Sequence, residues 1–148
     1  MLTRVGIVTL TAATFVCTAC NARYSSSAFH LPADGNLERG KIAFVALKCH
    51  TCHDVPGAAL STPSVQPPVG VRLGGETDKK LSNAYLVTSM LDPSYQLAPY
   101  PVDRITLGGK SRMPSYANQM TLQQMVDIVT FLQSRYVIRR WEPQYAYY

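Results

Sequence analysis

The sequence predicts an all-α domain of three to four helices that are joined by long loops. Apolar residues recur at helical spacing before Cys49 and again after Thr121, whereas no stretch shows the alternation of a half-buried strand. The chain contains 9 Gly and 10 Pro among 148 residues, which leaves room for irregular connections but not for a second independent core. Hydrophobic residues make up 47% and charged residues 16%, a composition too apolar for a disordered chain.

Residues 1–19 have the features of an export signal: a basic start, an uncharged stretch over residues 5–16, and small residues at its end. Ala19-Cys20 resembles the lipobox of bacterial lipoproteins, in which the cysteine becomes the acylated first residue of the mature chain. We therefore predict cleavage before Cys20, lipidation of Cys20 and a linker over residues 20–33. Ordinary cleavage near Ala22 and retention as an uncleaved anchor are the alternatives, and all three place the domain outside the cytoplasm.

The folded domain is predicted over residues 34–138, and its first helix leads directly into a cysteine motif. Start signals at residues 32–36 precede Leu37, Gly40, Phe44 and Leu47, which recur at helical spacing. Because glycine costs roughly 1 kcal/mol in a helix relative to alanine, Gly40 is either a mild defect or a place where another helix crosses closely.

The motif Cys-His-Thr-Cys-His at residues 49–53 is the attachment signature of c-type haem. Two thiols on one turn can reach the two vinyl groups of the porphyrin, and His53 is then brought under the iron as the proximal ligand. A four-cysteine zinc site with Cys17 and Cys20 is disfavoured because that pair ends the export segment. A thioredoxin-like pair is disfavoured because no βαβ pattern surrounds the motif. The prediction is one covalent haem c on Cys49 and Cys52.

Residues 55–75 are rich in Pro, Gly and Ser and are predicted to form a loop over the haem. A middle helix follows from about Asp78 to Leu91, with Thr77 as its cap candidate, and it ends at Asp92-Pro93.

Thr121 to Gln124 reads as a capping box that opens a last helix. The apolar stripe of this helix consists of Met125, Ile128, Phe131 and Leu132. The tail over residues 139–148 has four aromatic residues in its last eight, which favours either docking on a partner or packing back on the domain.

Residues 34–138 resemble the small monohaem cytochrome c family, in which an N-terminal helix leads into C-x-x-C-H and a methionine loop precedes the last helix. The resemblance implies an all-α fold wrapped around one haem that carries single electrons between membrane complexes. It implies that Gly40 and Phe44 pack against Ile128 and Phe131 where the terminal helices cross. It also implies that a proline carbonyl fixes the ring of His53, for which Pro67-Pro68 is the nearest match, with Pro68 as our candidate.

The sixth iron ligand decides between an electron carrier and a catalyst, because an open position binds small molecules. Met113 lies in a loop held by Gly108, Gly109 and Pro114, eight residues before Thr121, as the Met-Pro loop of the family requires. We predict Met113 as the distal ligand. Met120, just before the last helix, is its competitor. Met90 and Met125 lie in helical runs and are expected to be core. His30 and His50 are the remaining candidates.

The net charge of +5 is spread over scattered residues, so nucleic acid is not an expected partner. Arg72, Tyr100, Lys110 and Arg112 are candidates for pairing with the haem propionates, although solvated surface charge is the commoner explanation for such residues. The predicted function is single-electron transfer at the periplasmic face of a bacterial membrane, by a lipid-tethered or soluble carrier that meets redox proteins. A fixed haem subunit of a larger membrane complex is the alternative, followed by a haem enzyme or gas sensor with an open sixth position.

Overall fold

The computed structural model describes residues 30–61 and 70–139 of the chain. The predicted signal over residues 1–19, Cys20, Pro68 and the tail beyond Arg139 therefore lie outside the described residues. In the described residues, the elements in chain order are helix α1, a 3₁₀ turn, strands β1 to β3, helices α2 and α3, strands β4 and β5, helix α4 and strand β6. The helices are α1 (Leu37–Ala46), α2 (Asn83–Leu91), α3 (Val102–Ile105) and α4 (Leu122–Gln133), and the 3₁₀ turn is Cys49–Thr51. The strands are β1 (His53–Asp54), β2 (Val71–Arg72), β3 (Gly75–Thr77), β4 (Thr106–Leu107), β5 (Lys110–Ser111) and β6 (Tyr136–Ile138).

Both terminal helices begin at the side-chain caps that the sequence indicates. The Asn36 side chain accepts a hydrogen bond from the backbone N–H of Arg39 at 2.9 Å, which caps α1. At α4, the Thr121 hydroxyl accepts from the Gln124 N–H at 3.1 Å, and the Gln124 side chain accepts from the Thr121 N–H at 2.9 Å. The predicted capping box is thus confirmed.

Helices α1 and α4 pack closely at Gly40. A methyl group at this position would overlap the Asp127 carbonyl and would lie 2.7 Å from Cβ of Phe131. The rings of Phe44 and Phe131 are fully buried beside this contact, with centroids 5.7 Å apart and a tilt of 57°. Gly40 is therefore a crossing point rather than a defect, and the predicted contact of Gly40 and Phe44 with the last helix is confirmed.

A buried carboxylate fastens the same two helices. Asp127 of α4 is 3% exposed and accepts from Arg39 Nε at 2.8 Å, Arg39 Nη2 at 3.0 Å, the Asn36 N–H at 2.8 Å and Gln123 Nε2 at 3.1 Å. The bonds from Arg39 are the main reason that the pKa of Asp127 falls to about 2. Hydrogen bonds to the Asp127 carboxylate thus hold the N-terminus of α1 to α4.

Three features differ from the sequence-based prediction. Helix α2 begins at Asn83 instead of Asp78, because the Ser82 hydroxyl caps the Tyr85 N–H at 3.1 Å. Thr77 instead caps a turn, with its hydroxyl donating to the Lys79 carbonyl at 2.9 Å. Helix α3 was not predicted.

The expectation that the domain contains no strands is also corrected, since the described residues include three two-stranded pairs. Strands β1 and β2 pair in parallel, β3 and β6 pair in parallel, and β4 and β5 are antiparallel. Each strand has only two or three residues, which is too short for alternation to be detected in a sequence. The strand pairs join loop segments, and the described residues still contain four helices, within the predicted three to four.

Candidate haem site

The cysteine motif lies on a tight turn at the end of α1. Lys48 leaves the helix in the left-handed conformation with φ of 58°, and the 3₁₀ turn Cys49–Thr51 follows. The Cys52 N–H donates to the Cys49 carbonyl at 3.2 Å, and the Thr51 hydroxyl donates to the Lys48 carbonyl at 2.7 Å. The two cysteines are therefore held on one turn, as attachment to neighbouring edges of a porphyrin requires.

Cys49 is buried and Cys52 is exposed, and no disulfide joins them. Burial raises the pKa of Cys49 to about 11. In a thioredoxin-like redox pair the first cysteine is the attacking group, and it has a depressed pKa and reacts as a thiolate. The raised pKa of Cys49 therefore argues against that interpretation of the motif.

His53 begins β1 and is paired in register with Val71 of β2. Its Nδ1 lies 3.1 Å from the Val71 carbonyl oxygen, and because a carbonyl only accepts, Nδ1 carries the proton. The bare Nε2 is then the ring nitrogen that can bind iron. Burial lowers the pKa of His53, which favours the neutral imidazole that a metal requires. The carbonyl that was assigned from the sequence to Pro68 lies outside the described residues, and the described partner of Nδ1 is Val71.

A cavity of about 710 Å³ lies beside the motif. Cys49, Cys52 and His53 line it together with Met113, so the structure brings the two predicted attachment cysteines and both predicted axial residues to one cavity. The size falls in the range of cofactor sites, which are mostly apolar with a few polar groups. Its apolar walls include residues of three helices: Phe44 of α1, Leu86 and Met90 of α2, and Ile128 and Leu132 of α4. Two thiols, an imidazole and a thioether around such a cavity are a donor set that fits a covalently bound haem.

Met113 follows the β4–β5 hairpin, whose turn is formed by Gly108 and Gly109 with φ of 58° and 76°. The Met113 N–H donates to the Ser111 hydroxyl at 3.2 Å, and Met113 is partly buried against the core. Among the other predicted ligand candidates, Met90 also lines the cavity, as a buried residue of α2. The remaining four, Met120, Met125, His30 and His50, are not among the residues that line it.

Several cations surround the cavity. Of the four candidate partners for propionates, Arg72, Tyr100 and Arg112 line the cavity and Lys110 does not. Arg72 also forms an exposed ion pair with Asp54 at 3.1 Å. The sequence reasoning missed three further lining cations, Lys48, Lys79 and Arg104. Only Lys48 carried a usable signal, because it directly precedes the motif.

With this geometry in place, a comparison with protein families gives the class of the protein. A family model described as Cytochrome c matches residues 37–135, which include the motif, both crossing helices and every lining residue of the cavity except Tyr136. The chain belongs to the cytochrome c family. No curated protein and no solved structure matches it.

The family binds covalent haem c, and Cys49 and Cys52 fit the attachment motif. Electron transfer by a haem protein is therefore the general activity of this chain. Within residues 30–61 and 70–139, no helix is long and apolar enough to cross a membrane.

Proposed function

We propose that the chain is a monohaem electron carrier whose iron is held by His53 and Met113, and that it exchanges electrons with redox proteins on the periplasmic face of a bacterial membrane. The observation that carries the proposal is that Met113 and His53 line the same cavity as the two attachment cysteines. Cytochrome c domains are typically exported, which agrees with the export signal predicted over residues 1–19.

The chain's own residues explain how a carrier would work. Haem, when bound, supplies a one-electron couple between ferric and ferrous iron. A thioether is a soft ligand that favours the ferrous state, so Met113 raises the reduction potential. The Val71 carbonyl fixes the ring of His53, and the apolar walls limit access of water to the iron. If His53 and Met113 both held the iron, no position on it would be left for a small molecule, and electron transfer would be the chemistry that remains.

The decisive experiment replaces the axial methionine. Met113→Ala should abolish the sulfur-to-iron charge-transfer band of the ferric protein, lower the reduction potential and allow carbon monoxide to bind the ferrous iron. Met90→Leu is the matched control, because Met90 also lines the cavity and leucine conserves its volume without sulfur. Met120→Ala is a second control from outside the cavity lining.

Both controls should keep the charge-transfer band. If Met90→Leu loses the band and Met113→Ala keeps it, the ligand assignment is wrong and the carrier function stands. If the wild-type ferrous protein already binds carbon monoxide, the sixth position is open, and the enzyme or gas-sensor function replaces the carrier.

A second candidate function is a fixed haem subunit of a larger membrane complex. It is favoured by large apolar residues that stay exposed between α2 and the methionine loop: Tyr95 is 77% exposed, Val102 61% and Leu107 71%. Mild detergent extraction separates the two functions, since a carrier leaves the membrane as a monomer and a subunit leaves it with its partners.

A further inference from the structure

Tyr116 connects the methionine loop to the turn that carries the cysteines. Its hydroxyl donates to the Leu47 carbonyl at 3.1 Å, and Leu47 is the C-cap residue of α1, two positions before Cys49. Its backbone N–H donates to the Met90 carbonyl of α2 at 2.8 Å. Tyr116 is partly buried against the core and lines the cavity. One residue, three positions after Met113, thus bonds to two elements that surround the site.

The other described hydrogen bonds of the methionine loop do not reach the turn that carries the cysteines. Before Met113, the Ser111 N–H donates to the Ser94 hydroxyl at 3.1 Å, and the Arg112 N–H donates to the Ile105 carbonyl at 2.9 Å. After Met113, the Ser115 hydroxyl donates to the Leu91 carbonyl at 2.5 Å. These bonds hold the loop to α2, α3 and the segment between them. Among the described hydrogen bonds that fasten the loop, the Tyr116 hydroxyl makes the one that ends beside the attachment cysteines.

Haem attachment makes this bond more important. The thiol of Cys49 lies 4.0 Å from the same Leu47 carbonyl, as a long and weak hydrogen bond. Once Cys49 is a thioether it has no S–H to donate, and the Tyr116 hydroxyl remains to satisfy the carbonyl. Burial raises the pKa of Tyr116, so its hydroxyl keeps its proton at neutral pH.

We propose that Tyr116 is a positioning residue that holds the Met113 loop to the cysteine turn and so keeps the Met113 thioether at the iron. This inference rests on the proposed axial role of Met113. The hydroxyl acts through the loop, because its bond is to the protein backbone. Its loss leaves the haem attached and makes the axial methionine easier to displace.

The test is imidazole binding to the ferric holoprotein, which requires displacement of the axial methionine. A typical intramolecular hydrogen bond has a net contribution that corresponds to about a fivefold change in an equilibrium constant. Tyr116→Phe should therefore bind imidazole about fivefold more tightly than wild type, with unchanged haem content. Tyr95→Phe is the matched control, since Tyr95 is 77% exposed and does not line the cavity. It should bind imidazole as wild type does.

A double-mutant cycle separates positioning from a general loosening of the cavity. In the Met113→Ala background there is no thioether to displace, so adding Tyr116→Phe should leave imidazole affinity unchanged. An equal fivefold gain in both backgrounds, or no gain in the single variant, overturns the role of Tyr116 and leaves the axial role of Met113 intact. If Met113→Ala itself does not change imidazole affinity, the proposed axial ligand is wrong, and the inference falls with it. Thermal unfolding of Tyr116→Phe, monitored by far-UV circular dichroism, verifies that the variant is folded.

Discussion

The Nδ1 atom of His53 lies 3.1 Å from the carbonyl oxygen of Val71, 18 residues further along the chain. The parallel pair of β1 and β2 sets this distance, because it places His53 opposite Val71 and Asp54 opposite Arg72. The Leu73 N–H extends the pair by donating to the Asp54 carbonyl at 2.8 Å. The tautomer of the proposed proximal ligand is thus fixed by backbone pairing between two strands that are well separated in the sequence. The backbone carbonyl of any residue at position 71 could fix the tautomer of His53 in this way, whatever the side chain of that residue.

The first prediction concerns haem attachment. Acidified organic solvent should fail to extract haem from the wild-type protein, and the intact mass should correspond to one haem per chain. Cys49→Ser with Cys52→Ser should release all of its haem, because no thiol remains on the turn. Cys20→Ser is the control, since Cys20 lies outside the motif, and its haem should stay attached. Extraction of haem from the wild-type chain would show that the motif does not bind it covalently.

The second prediction concerns the helix crossing. Gly40→Ala should lower the free energy of unfolding by about 1–3 kcal/mol, the range for overpacked cores, although alanine is the better helix former. The added methyl group has no room between the Asp127 carbonyl and Phe131. Gly70→Ala is the matched control, because no atom of the described residues lies within 4 Å of a methyl group there. Urea unfolding measures both variants, and equal stability would show that the helices can move apart at no cost.

The third prediction concerns the carboxylate between α1 and α4. Asp127→Asn should lower the free energy of unfolding by about 1–3 kcal/mol, since it removes the buried charge that accepts two hydrogen bonds from the half-exposed Arg39 side chain. Asp103→Asn, on the exposed surface of α3, should change stability by less than about 0.5 kcal/mol. Urea unfolding at neutral pH compares the two. An Asp127→Asn protein as stable as wild type would contradict a stabilising role of this pair.

The same carboxylate predicts a pH dependence. Its pKa is about 2 in the folded protein and 3.8 as the ordinary value, so the unfolded chain binds the proton more readily. Stability from Asp127 is therefore fully present above pH 3.8 and is lost as the pH falls towards 2. Acid unfolding should show wild type losing its advantage over Asp127→Asn within that window. An advantage that stays constant down to pH 2 would exclude this linkage.

The sequence was most informative where local chemistry decides the structure. Both terminal helices have caps that act within three residues, and the crossing at Gly40 follows from a glycine on an apolar helical face. The cysteine motif is local as well. For the middle helix, Thr77 and Ser82 offer the same hydroxyl, and only the surrounding fold determines which of them caps it.

Long-range backbone pairing could not be predicted. Strand β3 pairs with β6, about sixty positions away, through three residues on each side that have no detectable period. The hydrogen-bond partner of the His53 ring is likewise a main-chain carbonyl, and a main-chain group has no sequence signature. The cations around the cavity come from distant segments, so their convergence on one site depends on the tertiary structure.

Another prediction concerns Cys20, which we propose is the lipid anchor. Cys20→Ser should give an unprocessed precursor or a soluble product, and labelled fatty acid should not enter it. Cys17→Ser is the matched control, since it changes a neighbouring cysteine and should still be acylated. Stable anchoring takes at least two hydrophobic signals, so the native protein should carry more than one acyl chain. A native N-terminus at Arg23 would show ordinary cleavage instead of lipidation.

The last prediction concerns the segment after α4. The family model ends at residue 135, and strand β6 (Tyr136–Ile138) follows it. This strand pairs with β3, the Arg139 N–H donates to the Thr77 carbonyl at 2.9 Å, and Tyr136 lines the cavity together with Glu76 and Thr77. These contacts make β6 a part of the cavity wall that lies beyond the residues matched by the family model.

Two truncations separate this wall from the tail. A chain that ends at Arg135 loses β6, and its reduction potential should fall, because a haem more open to water stabilises the more highly charged ferric state. A chain that ends at Arg139 keeps β6 and lacks only residues 140–148, so its potential should equal that of the full chain. Redox titration with optical spectra measures all three proteins. If the chain that ends at Arg139 already has a potential as low as that of the chain that ends at Arg135, the effect belongs to the aromatic tail and β6 does not shield the haem.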